Sequence, residues 1–374
     1  MPQSLIAALI FIATLLATAY FVAQARELAK RLGLFGRVGH RHLAPATVPR
    51  IGGVGIFLGV FVGIGLSFVL PVSRLSAFDE VGKIVLMLVG GLIVFAVSLV
   101  DDLVELSAPS RLLWLFAAAE LIVLPRLFDP WREIVPKGGS GIVITDLPNP
   151  FGASAITLPL VVAIPFTLIW IVGMTNAINW IDAVDGLAGG VVLIGGAVLF
   201  IHTYFRLHQF TISLLPLVLG AAALGFLRFN WHPASIIMGD CGAMFLGFAL
   251  AVAAIIGGAK IATTLLVLIV PAVNMVWAIL VRLMRRANPM RADESHLHYQ
   301  LLRQGFTARQ ITLLAYAVCI AFGALALVFD KRVKLFLFGV IALTMLIGLV
   351  LLARQPLDAT DAHKDDDPAH IAAD

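Results

Sequence analysis

Asn176, Asn179, Asp182 and Asp185 stand three residues apart in the stretch GMTNAINWIDAVDGLAGG, between two long apolar runs. Ionisable groups in or beside hydrocarbon are costly, and a chain that keeps them usually lines a substrate path or a catalytic site with them. On an α-helix each would neighbour the next, but every three-residue step slips by about 60°. The set therefore wraps around a helix, or the helix ends near Gly186. Either arrangement builds a polar wall. The plainer use of such residues would be to tie neighbouring helices together by hydrogen bonds.

Other clusters carry compatible chemistry. Asp101 and Asp102 close an apolar run as SLVDDLVEL, and paired carboxylates at a membrane boundary suit a divalent cation or a shared proton. Taken alone they could be solvated loop acids. The stretch FLRFNWHPASIIMGDCGAMFLG offers Asn230, His232 and Asp240, with Gly239 and Gly242 allowing close backbone approach to a ligand. Asp240 by itself could be a helix N-cap. Farther on, RRANPMRADESHLHYQLLRQGF combines Arg282, Arg285 and Arg286 with His296 and His298. Histidines two apart face opposite ways on a helix but the same way in extended chain, so the pair converges only where the backbone is not helical. Without cysteines or a clear third ligand, zinc is a poor fit, and a phosphate or sugar contact suits them better. Arg50, in VPRIGG, is a candidate anion anchor or a plain topology-setting charge. Carboxylates favour a hard, oxygen-liganded ion, Mg²⁺ or the similar Mn²⁺. Such an ion commonly accompanies phosphates, so a nucleotide-linked substrate follows.

The elements that must position these residues are membrane helices. Of the 374 residues, 60% are hydrophobic and only 13% charged, and the mean hydropathy is +1.01; soluble domains are nearer 45–50% apolar. The net charge of +4 comes from short basic loops, where it sets topology, and implies no nucleic-acid partner. About eleven apolar runs, near 4–24, 51–71, 84–100, 111–128, 156–175, 186–204, 210–229, 242–259, 261–281, 311–329 and 334–353, are long enough or nearly so to span. The fold expected is an all-α polytopic membrane protein, one domain over 1–353, with a charged, disordered tail over 354–374. Basic loops after the first run (Arg26, Lys30, Arg31, Arg37, Arg41, Arg50) and the ninth (Arg282 to Arg309) belong inside. Alternation then puts Asp101–Asp102, Asn176–Asp185 and Asn230–Asp240 on that same cytoplasmic side. Lys331, Arg332 and Lys334, in one external turn, run against this count. Outside, KGGSG before the alternating GIVITDL reads as a small β-hairpin. Cys241 and Cys319 suggest no disulfide framework. Glu120 and Asn274 read as buried polar groups of unassigned role.

PRIGG at Pro49, the pair at Asp101, NAINWIDAVDGLA at Asn176, the Phe226–Asn230 stretch leading to MGDCG, and HLH at His296 occur in this order. Together they resemble the bacterial polyprenyl-phosphate N-acetylhexosamine-1-phosphate transferases, relatives of the phospho-MurNAc-pentapeptide translocase. The sequence departs from the family's common pattern at Ala243, where a serine is usual, at Ile237, where an aromatic is frequent, and at Tyr299, where a histidine is usual. The resemblance implies Mg²⁺-dependent transfer of a HexNAc-1-phosphate, foremost GlcNAc-1-phosphate, from a UDP-sugar to undecaprenyl phosphate with release of UMP. It also implies a site facing the cytoplasm in a bacterial inner membrane, where the product starts a cell-surface glycan such as O-antigen. By the same resemblance Asp101, Asp102, Asp240, His296 and His298 are catalytic, with Asp240 and Asp101 as Mg²⁺ ligands and the Asp101–Asp102 pair facing the lipid phosphate. Arg50, Asn176, Asn179, Asp182, Asp185 and Asn230 bind substrate. Membrane lipid and a second copy of the chain are further expected partners. The pentapeptide translocase and, in another class, a secondary transporter remain alternatives at this point.

Overall fold

The computed structural model describes residues 2–34, 48–70, 78–126, 141–147, 149, 152, 154–258, 261–284 and 296–354. Within them the chain is a helix bundle: α1 Gln3–Leu32, α2 Gly52–Val69, α3 Phe78–Val104, α4 Ala108–Val123, α5 Leu160–Ile181, α6 Leu187–Ile201, α7 Phe210–Asn230 and α8 Gly239–Ile256. These are followed by α9 Ile261–Val267, α10 Ile269–Met284, α11 Leu297–Arg303, α12 Ala308–Val328 and α13 Lys331–Arg354. Among the described residues eight helices are unbroken and apolar enough to cross a membrane by length and composition, and α9 with α10 forms a further pair bent by 85°. The expectation of about eleven straight runs is adjusted accordingly. The ninth run is a broken one, and α4 has only 16 residues before a short 3₁₀ turn at Leu124–Arg126.

Burial ranks the helices. In α8, 83% of the best 18-residue window is buried, against 33% in α1 and α12, so α8 is the bundle's axis. Its sequence GDCGAMFLGFALAVAAII is apolar on all sides, as a fully enclosed helix must be, and its small residues let neighbours close in. It packs against α3, α5 and α2. A Cβ on Gly53 would collide with the backbone of Gly242, which explains the glycine pair of PRIGG: α2 and α8 touch there. Just before that contact, Gly52 and Gly53 N–H groups donate to the Ile237 and Met238 carbonyls at 3.0 and 2.8 Å, and Ile237 N–H donates to Pro49 at 2.8 Å. The segment entering α2 is thereby bound to the segment entering α8.

The small hairpin exists but is shorter than the alternation suggests. β1 (Asp146–Leu147) pairs antiparallel with β2 (Ile156–Thr157), so only the end of GIVITDL is in the sheet and the connection is the later 148–155 stretch. Most of KGGSG lies outside the described residues, as do Arg37, Arg41, Arg285, Arg286 and the tail over 355–374. Glu120 is exposed on the outside of α4, which corrects its reading as a buried group.

Candidate active site

The polar residues meet where helices end. Asp101 and Asp102 sit in the last turn of α3, Asp240 in the first turn of α8, Asn179 in the last turn of α5, and Arg50 just ahead of α2. α5 stops at Ile181, and Gly186, with φ of 78°, starts α6. The four-residue ribbon is thus split between them: Asn176 and Asn179 lie on the helix, Asp182 and Asp185 in the turn. A cluster at one end of the bundle differs from the midplane site and broken repeats of a transporter.

Asp240 is the hub. Its Oδ1 accepts hydrogen bonds from Arg50 Nη2 and Asn179 Nδ2, both at 3.1 Å, and its Oδ2 accepts from Arg111 Nη1 at 3.1 Å. The same Arg111 nitrogen donates to Asp101 Oδ2 at 3.0 Å, while Asp101 Oδ1 accepts from Leu106 N–H at 2.6 Å and closes the turn after α3. Arg111, at the start of α4, is a site residue the sequence reading missed. One arginine leading an apolar run looks like any topology-setting charge, and only its position nine residues past Asp102 hinted otherwise.

Asp102 has a different position from its neighbour. Its side chain is 2% exposed, and its oxygens accept the N–H groups of Asp240 at 3.0 Å and Cys241 at 2.9 Å. The first N–H groups of a helix lack partners within it, so α3 supplies a cap for α8 across the bundle. Gly239, with φ of 78°, makes room: a Cβ there would lie 2.6 Å from the Arg50 carbonyl oxygen and 2.8 Å from Asp102 Oδ2.

Burial opposes the charge of Arg50, but Asp240, Asp102 and Asp182 outweigh it and raise its pKa above the ordinary arginine value. Asp182 is buried, and desolvation raises its pKa well above the usual carboxylate range against the pull of Arg50.

A second layer holds these turns together. Asn230 is buried; its Oδ1 accepts Gly186 N–H at 2.9 Å and its Nδ2 donates to the Ile236 carbonyl at 3.0 Å. Asp185 Oδ2 meets His232 Nδ1 at 2.8 Å and accepts Ala234 N–H at 3.0 Å. Both fasten the α5–α6 turn to the loop that leads into α8. From α12, Thr312 and Tyr316 hydroxyls donate to the carbonyls of Asp185 and Gly186 at 3.1 and 2.5 Å. Asn176 donates to Val172 of its own helix at 2.8 Å; among the described residues it does not join the Asp240 cluster.

The histidine pair converges because a helix begins between its members. His296 is the extended N-cap of α11, His298 is inside it, and their rings stack at 5.4 Å with 8° between planes. Asn274 of α10 sets this register: its Oδ1 accepts Leu297 N–H at 3.0 Å and its Nδ2 lies 3.3 Å from His296 Nδ1. That gives the unassigned asparagine a role. Trp180, beside Asn179 on α5, meets His296 edge to face at 5.2 Å and carries the Arg282 guanidinium 5.3 Å over its ring. The histidines are therefore joined to the same helix end as the acids. Burial, with His296 adding to it, pushes His298 down to about 3, so it is neutral at pH 7.

Residues 84–258 match the family described as Glycosyl transferase family 4. A probable undecaprenyl-phosphate N-acetylglucosaminyl 1-phosphate transferase of Bacillus subtilis is 30% identical over 349 residues, covering 92% of this chain and 90% of that protein. This chain belongs to that family. The decaprenyl-phosphate N-acetylglucosaminephosphotransferase of Mycobacterium tuberculosis is 28% identical over 96% of this chain and 92% of its own length. The undecaprenyl-phosphate alpha-N-acetylglucosaminyl 1-phosphate transferase of Escherichia coli K12 is 24% identical over 84% and 82%. The stretch that matches the family description begins within α3 and closes after α8, so it contains Asp101, Asp102, Arg111, Asn179 and Asp240, the residues that meet in space.

Proposed function

We infer that this protein transfers GlcNAc-1-phosphate from a UDP-sugar to a polyprenyl phosphate, undecaprenyl phosphate in the first instance, at the cytoplasmic face of a bacterial inner membrane. The observation that carries the reading is the convergence on Asp240 of Arg50, Arg111 and Asn179 from three parts of the chain, in a family whose relatives are named for this transfer. In the reaction a lipid phosphate oxygen forms a bond to the sugar-bearing phosphorus of the donor, the bond from that phosphorus to the bridging oxygen breaks, and UMP departs with that oxygen. A phosphate monoester has its second pKa near ~6 and is largely ionised at pH 7, so Asp101 has no proton to remove and serves to orient. The guanidiniums of Arg50 and Arg111 suit phosphate oxygens in geometry as well as charge.

Whether these residues suit a divalent cation is a matter of their chemistry and their current partners. Among the described residues no three carboxylate, imidazole or thiol groups are arranged to hold an ion. Both Asp102 oxygens accept backbone N–H groups. Mg²⁺, however, is commonly held by one or two carboxylates with water and substrate phosphates completing the shell, and Asp240 and Asp101 meet that requirement. When bound, the ion would offset the charge of the diphosphate and of departing UMP. The chain's own contribution is to fix Asp240 through Asn179 and the cap from Asp102, and to hold the two phosphates in line. His296 and His298 would meet the sugar phosphate or the sugar.

The deciding assay incubates detergent-purified protein with undecaprenyl phosphate, Mg²⁺ and a panel of UDP-sugars. UMP and a lipid-linked product should form with UDP-GlcNAc, cease with EDTA, and return with Mg²⁺ or Mn²⁺. Full turnover after exhaustive chelation would remove the ion from the reading. Turnover only with a UDP-MurNAc-pentapeptide would replace the sugar assignment.

A further inference from the structure

The carboxylate assigned to the divalent cation already has two cations on it. Arg50 Nη2 takes one Asp240 oxygen and Arg111 Nη1 the other, each at 3.1 Å. A divalent ion joining the same carboxylate is opposed by both guanidiniums, because like charges a few ångströms apart in a partly buried setting repel strongly. The rest of the cluster decides which groups give way. Asp102 is 2% exposed and fixed by two backbone N–H groups, and Asp240 is part of helix α8. The arginine side chains are 27% and 24% exposed. Arg50 is also incompletely engaged: its buried Nε has no hydrogen-bond partner and stands 3.6 Å from Asp102 Oδ1.

We propose that Arg50 and Arg111 are exchangeable counter-ions of Asp240. In the cation-free protein they hold the carboxylate in place. On loading they yield it to the divalent ion, and the two released guanidiniums pair with the phosphates that arrive with it. This rests on Asp240 being the cation ligand, as argued above, and adds how the site fills. The bare ion competes with two arginines and binds weakly; a diphosphate gives those arginines a new partner and so strengthens ion binding. By linkage the ion strengthens diphosphate binding by the same factor.

The test measures binding, without turnover. Full-length protein in detergent is titrated with Mn²⁺ and free Mn²⁺ is read from its electron paramagnetic resonance signal, with and without UDP. Arg111→Gln should bind Mn²⁺ about tenfold or more tightly than the native chain, since an opposing unit charge has been removed. Arg111→Lys, which keeps the charge, should stay within about threefold. UDP should tighten Mn²⁺ binding in the native chain, and by less in Arg111→Gln. Arg50→Gln carries the same expectation if Arg111→Gln does not fold. Arg→Gln chains that bind Mn²⁺ no better than the native chain, while Asp240→Asn loses the ion, would overturn the exchange and leave Asp240 as ligand. Undiminished Mn²⁺ binding in Asp240→Asn would overturn the ligand assignment and the exchange with it.

Discussion

At Asp102 a carboxylate from the end of α3 takes the place of a local N-cap on α8, accepting N–H groups 138 and 139 residues away. An amide of the same shape has one acceptor oxygen and would turn its NH₂ toward the other donor. Hydrogen bonds to charged groups contribute about 1.5–3 kcal/mol each, so Asp102→Asn should lower stability by about 2–3 kcal/mol. Thermal unfolding in detergent should show this as a reduced midpoint, and excess Mg²⁺ should not restore turnover. A variant as stable as the native chain would remove the capping role. Asp101→Asn should be the milder change in stability, because Asp101 accepts one backbone N–H, that of Leu106, where Asp102 accepts two. The two acids are adjacent in sequence and identical in type, so nothing in SLVDDLVEL tells them apart. What separates them is which one faces α8. Asp240 and Asn179 were legible because polar and ionisable groups beside an apolar run are expensive; Arg111 was not, since a basic residue at the start of a membrane run is the commonest kind.

Helix ends, more than helix faces, make this site. The three-residue spacing over Asn176–Asp185 left open whether a ribbon wraps around a helix or the helix stops. The helix stops at Ile181 and a new one starts after Gly186, which supplies a positive φ that a residue with a Cβ rarely adopts and whose N–H Asn230 takes. The condition that HLH be non-helical is met at His296 alone, and Asn274 places that boundary by accepting Leu297 N–H. Asn274→Ala would leave this N–H without its acceptor and let α11 start elsewhere, moving His296 from Trp180. The expected outcome is a UDP-sugar KM raised about tenfold by lost positioning, with Mn²⁺ binding at Asp240 unchanged. If KM is unaltered, the α10–α11 contact is only structural; if Mn²⁺ binding falls as well, the histidines and Asp240 are not separable.

For the whole molecule, hydropathy located the runs but not their straightness, because a break such as that at Leu268 changes no composition. Loop charge gives each run an expected side, with one conflict in Lys331, Arg332 and Lys334. Lys334 is now accounted for: it is buried and donates to Thr263 Oγ1 at 2.9 Å, so it is withdrawn from the surface at that end. Lys331 and Arg332 still run against the count, so the remaining basic loops set the expected direction. Arg26, Lys30 and Arg31 close α1, while Arg282, Arg303 and Arg309 flank the histidine segment, and all should be cytoplasmic. The β1–β2 hairpin precedes α5, whose far end carries Asn179, so it should be outside. Single cysteines at Ser107 and Gln304, both exposed near the site, and at Ser154, exposed by the hairpin, test this; native Cys241 and Cys319 are buried and should give little background. A membrane-impermeant maleimide should label Ser154→Cys in intact spheroplasts, and Ser107→Cys and Gln304→Cys only in inverted vesicles. If Ser107→Cys and Gln304→Cys were labelled from opposite sides, α4 and α11 could not serve one site. If all three were labelled with the reverse polarity, the site would face away from the cytoplasm, where a nucleotide-sugar donor is made, and the proposed reaction would lose its substrate.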